Sequence, residues 1–363
     1  MKIAMTGSNG FLGWHTRALA HSQGQTTVAI AVGDKFNAET AVMSLRGVDM
    51  LVHLAGVNRG DDESVRRGNI QFAEQLALAL EASATKPSVV VYANSTQAGN
   101  GSPYGLGKQE AGLILERAAA KSGARFVDVK LPNLFGEHGV PFYNSVVATF
   151  CHLAANGRPL EVQDDKSLKL LHAQTAAEVL LGVREPQEAL GMATTRSVSE
   201  VATLIQATAD CYSDGTIPDI SGEFERDMFN TYRSFLVGDR LPISLDRKED
   251  ARGAFFEVVR SGGGQGQSSF STTVPGVTRG QHYHRRKIER FTVLSGSAEI
   301  SMRRLFTNEV LTFHVDGRNP KAIDMPTMWS HNITNTGSDK LYTMFWINEI
   351  FDPASPDTFP EEV

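Results

Sequence analysis

The sequence predicts an α/β domain built on a doubly wound parallel sheet, followed by an all-β domain folded as a sandwich or barrel. Two patterns carry that expectation. From Met1 to about Leu241, short aliphatic or β-branched runs alternate with longer helical stretches, the order of parallel strands joined by crossover helices. After Pro242 the helical stretches stop, and short strands follow one another between turn residues. Length agrees, because 363 residues exceed one ordinary core and domains run about 100 to 200 residues each. The boundary is expected near Asp239 to Pro242, giving domains over 1–241 and 242–363.

In chain order, residues 1–6 read as a first strand, followed by a glycine loop and a helix. Residues 28–32, 49–54, 89–93 and 126–131 supply further strands, and 69–82 and 108–121 carry Ala, Leu, Glu and Gln at helix-favouring positions. Beyond the boundary, strands are expected at 255–259, 269–274, 291–295, 298–302, 310–315, 331–334 and 341–347. The run 262–266 is expected to be a hairpin loop.

Composition narrows the function. Hydrophobic residues at 41% and charged residues at 21% are those of a globular chain, not a disordered one. A net charge of −6, with no Lys/Arg run longer than three residues, gives no footprint for nucleic acid or an anionic membrane, so a small-molecule substrate is expected. Cys151 and Cys211 stand far apart without metal spacing, as in a reducing compartment. No signal peptide is expected ahead of the first strand, and no apolar run approaches 18 residues, so the expected location is cytoplasmic.

Gly7, Gly10 and Gly13 form a G-x-x-G-x-x-G array directly after the first strand, with Phe11 and Leu12 opening the helix behind it. Small residues there let backbone approach a pyrophosphate at a positively polarised helix N-terminus. Residues 51–56 form a strand ending in Leu54, Ala55 and Gly56, small enough to run beneath a cofactor. Ser95 and then Tyr104-Gly-Leu-Gly-Lys108 complete the set. At i,i+4 the phenol and ammonium share a helix face, so Lys108 is expected to lower the Tyr104 pKa. Tyr104 then donates a proton to a carbonyl under reduction, and Ser95 holds the developing alkoxide.

These residues resemble the extended short-chain dehydrogenase/reductases that act on nucleotide-activated sugars, which implies a Rossmann-like fold and catalytic roles for Ser95, Tyr104 and Lys108. The same resemblance implies substrate contacts from Asn133, within Leu131-Pro-Asn133-Leu-Phe-Gly136, and from Asn144 and Ser145. Similar enzymes use NADP(H) and carry Arg where this chain has Asp34. Asp34 suits the ribose 2′-hydroxyl of NAD(H), whereas Lys35 and Arg17 suit a 2′-phosphate, so both cofactors remain open and any NADP preference is expected to be modest.

The second half carries Gly276-x5-His282-Tyr-His284-x4-Glu289-x6-Gly296, then Pro326-x-Met328-x-x-His331-x-x-x-Asn335. It resembles both motifs of the cupin (jelly-roll) barrels, with Met328 in place of the usual glycine. Residues two apart on a strand face the same way, so His282 and His284 are expected to point together, with Glu289 returning after a turn and His331 arriving from a later strand. Imidazoles with one carboxylate suit Zn²⁺ or another divalent ion of the first transition row. The segments 250–255 and 279–283 also resemble the sugar-nucleotide 3,5-epimerases, in which the first histidine is a base. His282 is therefore either general base or fourth ligand.

Over its whole length, through Trp346-Ile-Asn-Glu-Ile-Phe351-Asp-Pro, the chain resembles the bifunctional capsular polysaccharide biosynthesis enzymes. That resemblance implies a homodimeric enzyme acting on a UDP-2-acetamido-2,6-dideoxy-4-hexulose, epimerised at C3 in the cupin domain and reduced at C4 in the N-terminal domain. The implied product is UDP-2-acetamido-2,6-dideoxy-L-talose, a precursor of N-acetyl-L-fucosamine. Two other readings stay open: an NAD-dependent epimerase or dehydratase without net reduction, and a barrel that serves only regulation or dimerisation.

Overall fold

The structure, a computed structural model, describes residues 1–238 and 240–363. Asp239, at one end of the expected boundary, lies outside the described residues. In chain order the first elements are β1 (Lys2–Thr6), α1 (Phe11–Ser22), β2 (Thr26–Ile30), α2 (Ala38–Ser44), β3 (Met50–His53), α3 (Asp62–Ala82), β4 (Val89–Ser95), α4 (Pro103–Lys121), β5 (Arg125–Leu131) and β6 (Asn133–Phe135). Next come α5 (Val146–Ala155), β7 (Ser167–His172), α6 (Ala173–Leu180), α7 (Pro186–Met192), β8 (Thr194–Ser197), α8 (Val198–Tyr212), β9 (Ile217–Asp219) and α9 (Glu223–Arg233). The β-rich half comprises β10 (Ile243–Ser244), β11 (Lys248–Asp250), β12 (Gly253–Phe255), β13 (Ser261–Gly263), β14 (Gln267–Thr273), β15 (Thr278–Tyr283), β16 (Glu289–Ser295), β17 (Ser297–Arg304), β18 (Val310–Asp316), β19 (Lys321–Met325), β20 (Trp329–Asn335), β21 (Leu341–Ile347) and β22 (Phe359–Pro360). None of the described helices is long and apolar enough to cross a membrane.

The chain divides into two compact units. The first comprises residues 1–135, 142–145 and 166–197. Its parallel sheet has the order β2-β1-β3-β4-β5, and alternate residues of each strand feed opposite cores. Ile3, Met5, Val52, Val91 and Val129 pack with α1 and α6, while Ala4, Leu51, Val90 and Tyr92 pack with α2, α3 and α4. Burial on both faces is why these strands read as continuous apolar runs. A small sheet, β6-β7-β8, completes the unit.

Both long helices start earlier than the sequence pattern suggests, because polar caps set their ends. Asp61 accepts the Ser64 N–H at 2.8 Å and starts α3 at Asp62. Ser102 accepts the Gly105 N–H at 3.0 Å ahead of Pro103, which places Tyr104 in the first turn of α4.

The second unit comprises residues 136–141, 146–165 and 198–363. Two five-stranded sheets, β10-β19-β16-β21-β14 and β18-β17-β20-β15-β22, are antiparallel and contribute to one core through Phe291, Val293, Ile323 and Met325 on one side and Ala298, Ile300, Met302 and Ile333 on the other. Helices α5, α8 and α9 pack against one another within this unit. Two expectations are corrected. The strand expected at 255–259 ends at Phe255 as half of the β11–β12 hairpin. The run 262–266 does not make a hairpin loop, because Ser261 and Gly263 pair in parallel with Ile217 and Asp219 of β9. Strand β19 lies outside the strands expected from the sequence, because 321–325 shows no regular apolar alternation.

A buried ion pair joins α8 to this sheet. Arg290 Nε and Nη2 donate to the two oxygens of Asp324 at 2.6 and 2.8 Å, and Tyr212 of α8 donates its hydroxyl to the same carboxylate. Burial alone would raise the Asp324 pKa, but Arg290 and Arg233 outweigh it and hold the carboxyl below its usual range. A depressed carboxylate stabilises the fold above its unfolded pKa and loses that contribution as pH falls through the folded value. Asp324→Asn, which leaves Arg290 buried without a counter-charge, should cost about 3–5 kcal/mol in urea unfolding at neutral pH. Its deficit relative to the native chain should shrink in acid.

Candidate functional site

The glycine loop is shaped by contacts that no larger residue allows. Gly7 has a φ of +65°, and a Cβ there would meet the Ala55 nitrogen at 2.7 Å. A Cβ on Gly13 would lie 2.1 Å from the Gly7 carbonyl oxygen, so this glycine lets α1 pack on the loop. Gly10 caps α1 with no side-chain hydrogen bond and no acidic residue in the first turn, and its N–H donates to Gly7. Phe11 and Leu12 open the helix as expected. Thr6 Oγ1 accepts the N–H groups of Leu54 and Ala55 at 3.1 and 3.2 Å and bonds to His53 Nδ1 at 2.7 Å. The strand ends carrying Gly7 and Leu54-Ala55 are thereby tied together, and Gly56 follows where Asn69 brackets the Val57 amide at 2.6 and 3.3 Å.

Ser95 closes β4 and Tyr104 lies in the first turn of α4. Burial raises the Tyr104 pKa, and the nearby Ser95 side chain opposes the rise. The expected lowering by Lys108 is corrected, because the ammonium is turned elsewhere. Lys108 Nζ donates to the Ala93 carbonyl at 2.7 Å and stands 4.2 Å from the centroid of the Tyr92 ring, whose hydroxyl donates to the Lys108 carbonyl. Burial pulls Lys108 down to about 7, against the attraction of Asp128. His53, stacked on Tyr92, is pulled to about 3 by burial and by the Lys108 charge.

The remaining candidates of this unit are more exposed. Asp34 and Lys35 lie in a 3-10 turn, Gly33–Lys35, anchored where Gly33 N–H donates to Gln75 at 2.7 Å. Arg17 donates to Asn9 of the glycine loop at 3.0 Å. Asn133 is a strand residue of β6, reaching the Lys169 carbonyl at 3.4 Å. Arg59 holds Asn144 at 3.1 Å and the carbonyls of Phe142 and Tyr143, and Ser145 follows directly before α5.

In the second unit the expected histidines and carboxylate converge. One ligand atom from each of His282, His284, Glu289 and His331 lies within 4.8 Å of the others. Glu289 Oε2 is 3.0 Å from His284 Nε2, 3.1 Å from His331 Nε2 and 3.9 Å from His282 Nε2. Both sheets contribute: His282 pairs with His331 across β15 and β20, and Glu289 begins β16 of the facing sheet. A bulge at Gln281, with φ of +63°, re-aims His282, while His284 lies just past the end of β15. Nδ1 of His284 donates to the Asp357 carbonyl at 2.6 Å and Nδ1 of His331 to the Trp329 carbonyl at 3.1 Å, which turns both Nε2 lone pairs toward Glu289. Burial works against the Glu289 charge, yet the three imidazoles hold its carboxyl well below the usual range. An anionic carboxylate and imidazoles oriented through Nδ1 fit a divalent transition ion. Met328 takes a φ of +61° with its N–H on the His284 carbonyl at 2.6 Å, so the position where similar motifs carry glycine does need a left-handed backbone.

Thr6, Tyr92 and Asp357 are contributors that the motifs do not mark. Thr6 and Tyr92 sit inside strands that read as plain core, and Asp357 lies far along the chain from the residues it meets. Because Lys108 is depressed in the fold, the unfolded chain binds more protons between pH about 7 and about 10, so stability rises with pH across that window. Denaturant unfolding of the cofactor-free protein should show the rise, and Lys108→Met should flatten it.

The comparisons with known proteins cover both halves of the chain. Residues 3–189 match the model of the NAD dependent epimerase/dehydratase family, and residues 248–359 match the polysaccharide biosynthesis C-terminal domain. The chain is 32% identical to the UDP-2-acetamido-2,6-beta-L-arabino-hexul-4-ose reductase of Pseudomonas aeruginosa, over 99% of this chain and 98% of that protein. The crystal structure of the capsular polysaccharide assembling protein CapF from Staphylococcus aureus is 30% identical over the full length of both chains, with a TM-score of 0.63. The Bacillus subtilis spore coat polysaccharide biosynthesis protein SpsL is 25% identical over 122 residues, 31% of this chain. The chain thus belongs to the NAD dependent epimerase/dehydratase family, within its CapF-like branch of sugar-nucleotide reductases that carry a polysaccharide biosynthesis C-terminal domain.

Proposed function

We propose that this enzyme is bifunctional: the C-terminal domain epimerises C3 of a UDP-2-acetamido-2,6-dideoxy-4-hexulose, and the N-terminal domain reduces C4, giving UDP-2-acetamido-2,6-dideoxy-L-talose on the route to N-acetyl-L-fucosamine. The observation that carries the reading is one chain with two separate constellations, Ser95–Tyr104–Lys108 and His282–His284–Glu289–His331, similar over its whole length to a UDP-hexulose reductase. We assign the reductase to 1–241 and the cupin to 242–363, and the working form to a cytoplasmic homodimer.

The order follows from the chemistry. A C4 ketone acidifies the C3 proton, so epimerisation precedes reduction, and reduction then removes the ketone and fixes the new centre. In the first step His282 takes the C3 proton, and a proton returns to the opposite face. His282 suits the role as the most solvent-open and most distant of the three imidazoles from Glu289. His284, Glu289 and His331 would hold Zn²⁺ or a similar ion, which supplies Lewis-acid stabilisation of enolate charge. In the second step Tyr104 gives its phenolic proton to the C4 oxygen while Ser95 hydrogen-bonds that oxygen. Gly7, Gly10, Gly13 and the 54–56 segment would hold NADP(H) or NAD(H), which would supply the hydride for reduction at C4 and be oxidised in exchange. Lys108, held on the Ala93 carbonyl, titrates near neutral pH, and its charge would be available to the ribose hydroxyls of the cofactor.

The test is incubation with UDP-4-keto-6-deoxyhexosamines and reduced cofactor in D₂O, followed by NMR of product stereochemistry and deuterium. Deuterium at C3 with stoichiometric cofactor oxidation is expected. Turnover without cofactor consumption would instead favour an epimerase or dehydratase without net reduction. Tyr104→Phe should slow cofactor oxidation about 10²- to 10⁴-fold while C3 exchange continues. His282→Asn should keep its metal by elemental analysis yet lose exchange, whereas His284→Ala should lose metal, and equal losses in the two would move His282 into the ligand set.

A further inference from the structure

The C-terminal segment meets the histidine cluster through groups that neither cupin-like motif contains. Asp357 is 5% exposed, although it is charged and six residues from the end of the chain. Its Oδ1 accepts the N–H of Arg285 at 3.1 Å, and its Oδ2 accepts the N–H groups of Arg286 and Lys287 at 2.9 and 2.8 Å. Its own backbone carbonyl accepts Nδ1–H of His284 at 2.6 Å. Residues 285–287 are the turn between His284 and Glu289, so one residue holds an imidazole of the cluster and the connection to its carboxylate.

Neighbouring contacts fasten the same two segments. Lys287 Nζ donates to the Pro356 carbonyl at 2.7 Å, and Arg286 donates to the Ser355 carbonyl at 3.0 Å. β22 pairs with β15, setting Pro360 opposite His282 and Phe359 opposite Tyr283, and the Glu361 N–H donates to Gln281 at 3.0 Å. Asp357 reaches all four partners with a φ of +44°, a left-handed conformation that aspartate tolerates better than most residues. A carboxylate that accepts three consecutive backbone N–H groups fixes that backbone more firmly than neutral bonds do.

We propose that Asp357 is the positioning residue of this cluster. Its backbone carbonyl locks His284 in the Nδ1-protonated tautomer, so that Nε2 presents its lone pair, and its carboxylate, by gripping the 285–287 turn that leads to Glu289, holds that carbonyl in place. The proposal rests on reading the cluster as a metal site. Motif residues 282–331 are then incomplete without the last few residues of the chain, which supply the outer hydrogen bond that orients a ligand imidazole.

The experiment measures Co²⁺ and Zn²⁺ affinity of the full-length protein by chelator competition, with the Co²⁺ ligand-field spectrum and melting curves with and without metal. Asp357→Ala should weaken binding about 10- to 100-fold and alter the Co²⁺ spectrum. Asp357→Asn preserves the side-chain shape and one acceptor oxygen, and it serves as the second variant should alanine prevent folding. It should fall between alanine and native. A merely structural role would lower the melting temperature of the metal-free variants and leave affinity and spectrum of the folded protein as in the native chain, and that result overturns the proposal. Native protein that takes up neither ion overturns the metal reading itself, and the role of Asp357 with it.

Discussion

Glu289 and Arg290 are neighbours on β16, and because successive side chains of a strand point to opposite faces, they serve opposite sides of one sheet. Glu289 faces inward, where three imidazoles gather around its carboxylate, and Phe291 and Val293 continue that face into the core. Arg290 faces outward, where it donates to Asp324, whose carboxylate also accepts the Tyr212 hydroxyl of α8. A slip of one residue in the register of β16 would turn the arginine into the histidine cluster and the glutamate toward the helix. The register that sets Glu289 opposite Met325 on one side and Ile347 on the other therefore decides both the cluster and the docking of α8.

The buried pair carries risk as well as strength. Arg290 and Asp324 have side chains 2% and 1% exposed, so the attraction between them largely offsets the loss of hydration of both ions. What the pair adds is direction, since a bidentate arginine accepts few arrangements. Arg233 of α9, fully enclosed, reinforces the same corner by donating to the Met325 carbonyl at 3.2 Å and to Asn230 at 2.8 Å. Helices α8 and α9 are thus held to β19 through hydrogen bonds of fixed geometry as well as apolar contact.

In the first unit the corresponding constraint is steric. Gly7 and Gly13 bring the loop against Ala55 and against itself at distances that exclude a Cβ, and Thr6 stitches the two strand ends beneath. In the same unit His53 stacks on Tyr92, and the Lys108 ammonium stands 4.2 Å from the centroid of that ring. Burial there keeps His53 neutral and brings Lys108 near neutrality, so a charge that would be permanent on the surface becomes responsive to what binds above it.

Most of the architecture was legible because its signals are local. Apolar runs alternating with helical stretches gave the doubly wound sheet, and the spacing of Gly7, Gly10 and Gly13, of Tyr104 and Lys108, and of His282, His284 and Glu289 follows from helix and strand geometry over a few residues. Tertiary structure decided what depends on partners distant in sequence. The pairing of 261–263 with β9 replaced an expected hairpin loop, because Ile217 and Asp219 lie more than forty residues earlier in the chain. Helices α5, α8 and α9 precede residue 241 yet pack in the unit of the β-rich half, held through Tyr212 and Arg233. Lys108 turned from Tyr104 to the Ala93 carbonyl because burial set its partners, and Asp357 reached His284 across 73 residues. Local sequence fixes which face a side chain takes on its own element. The groups that meet it there, and hence its charge and orientation, are set only when distant segments close around it.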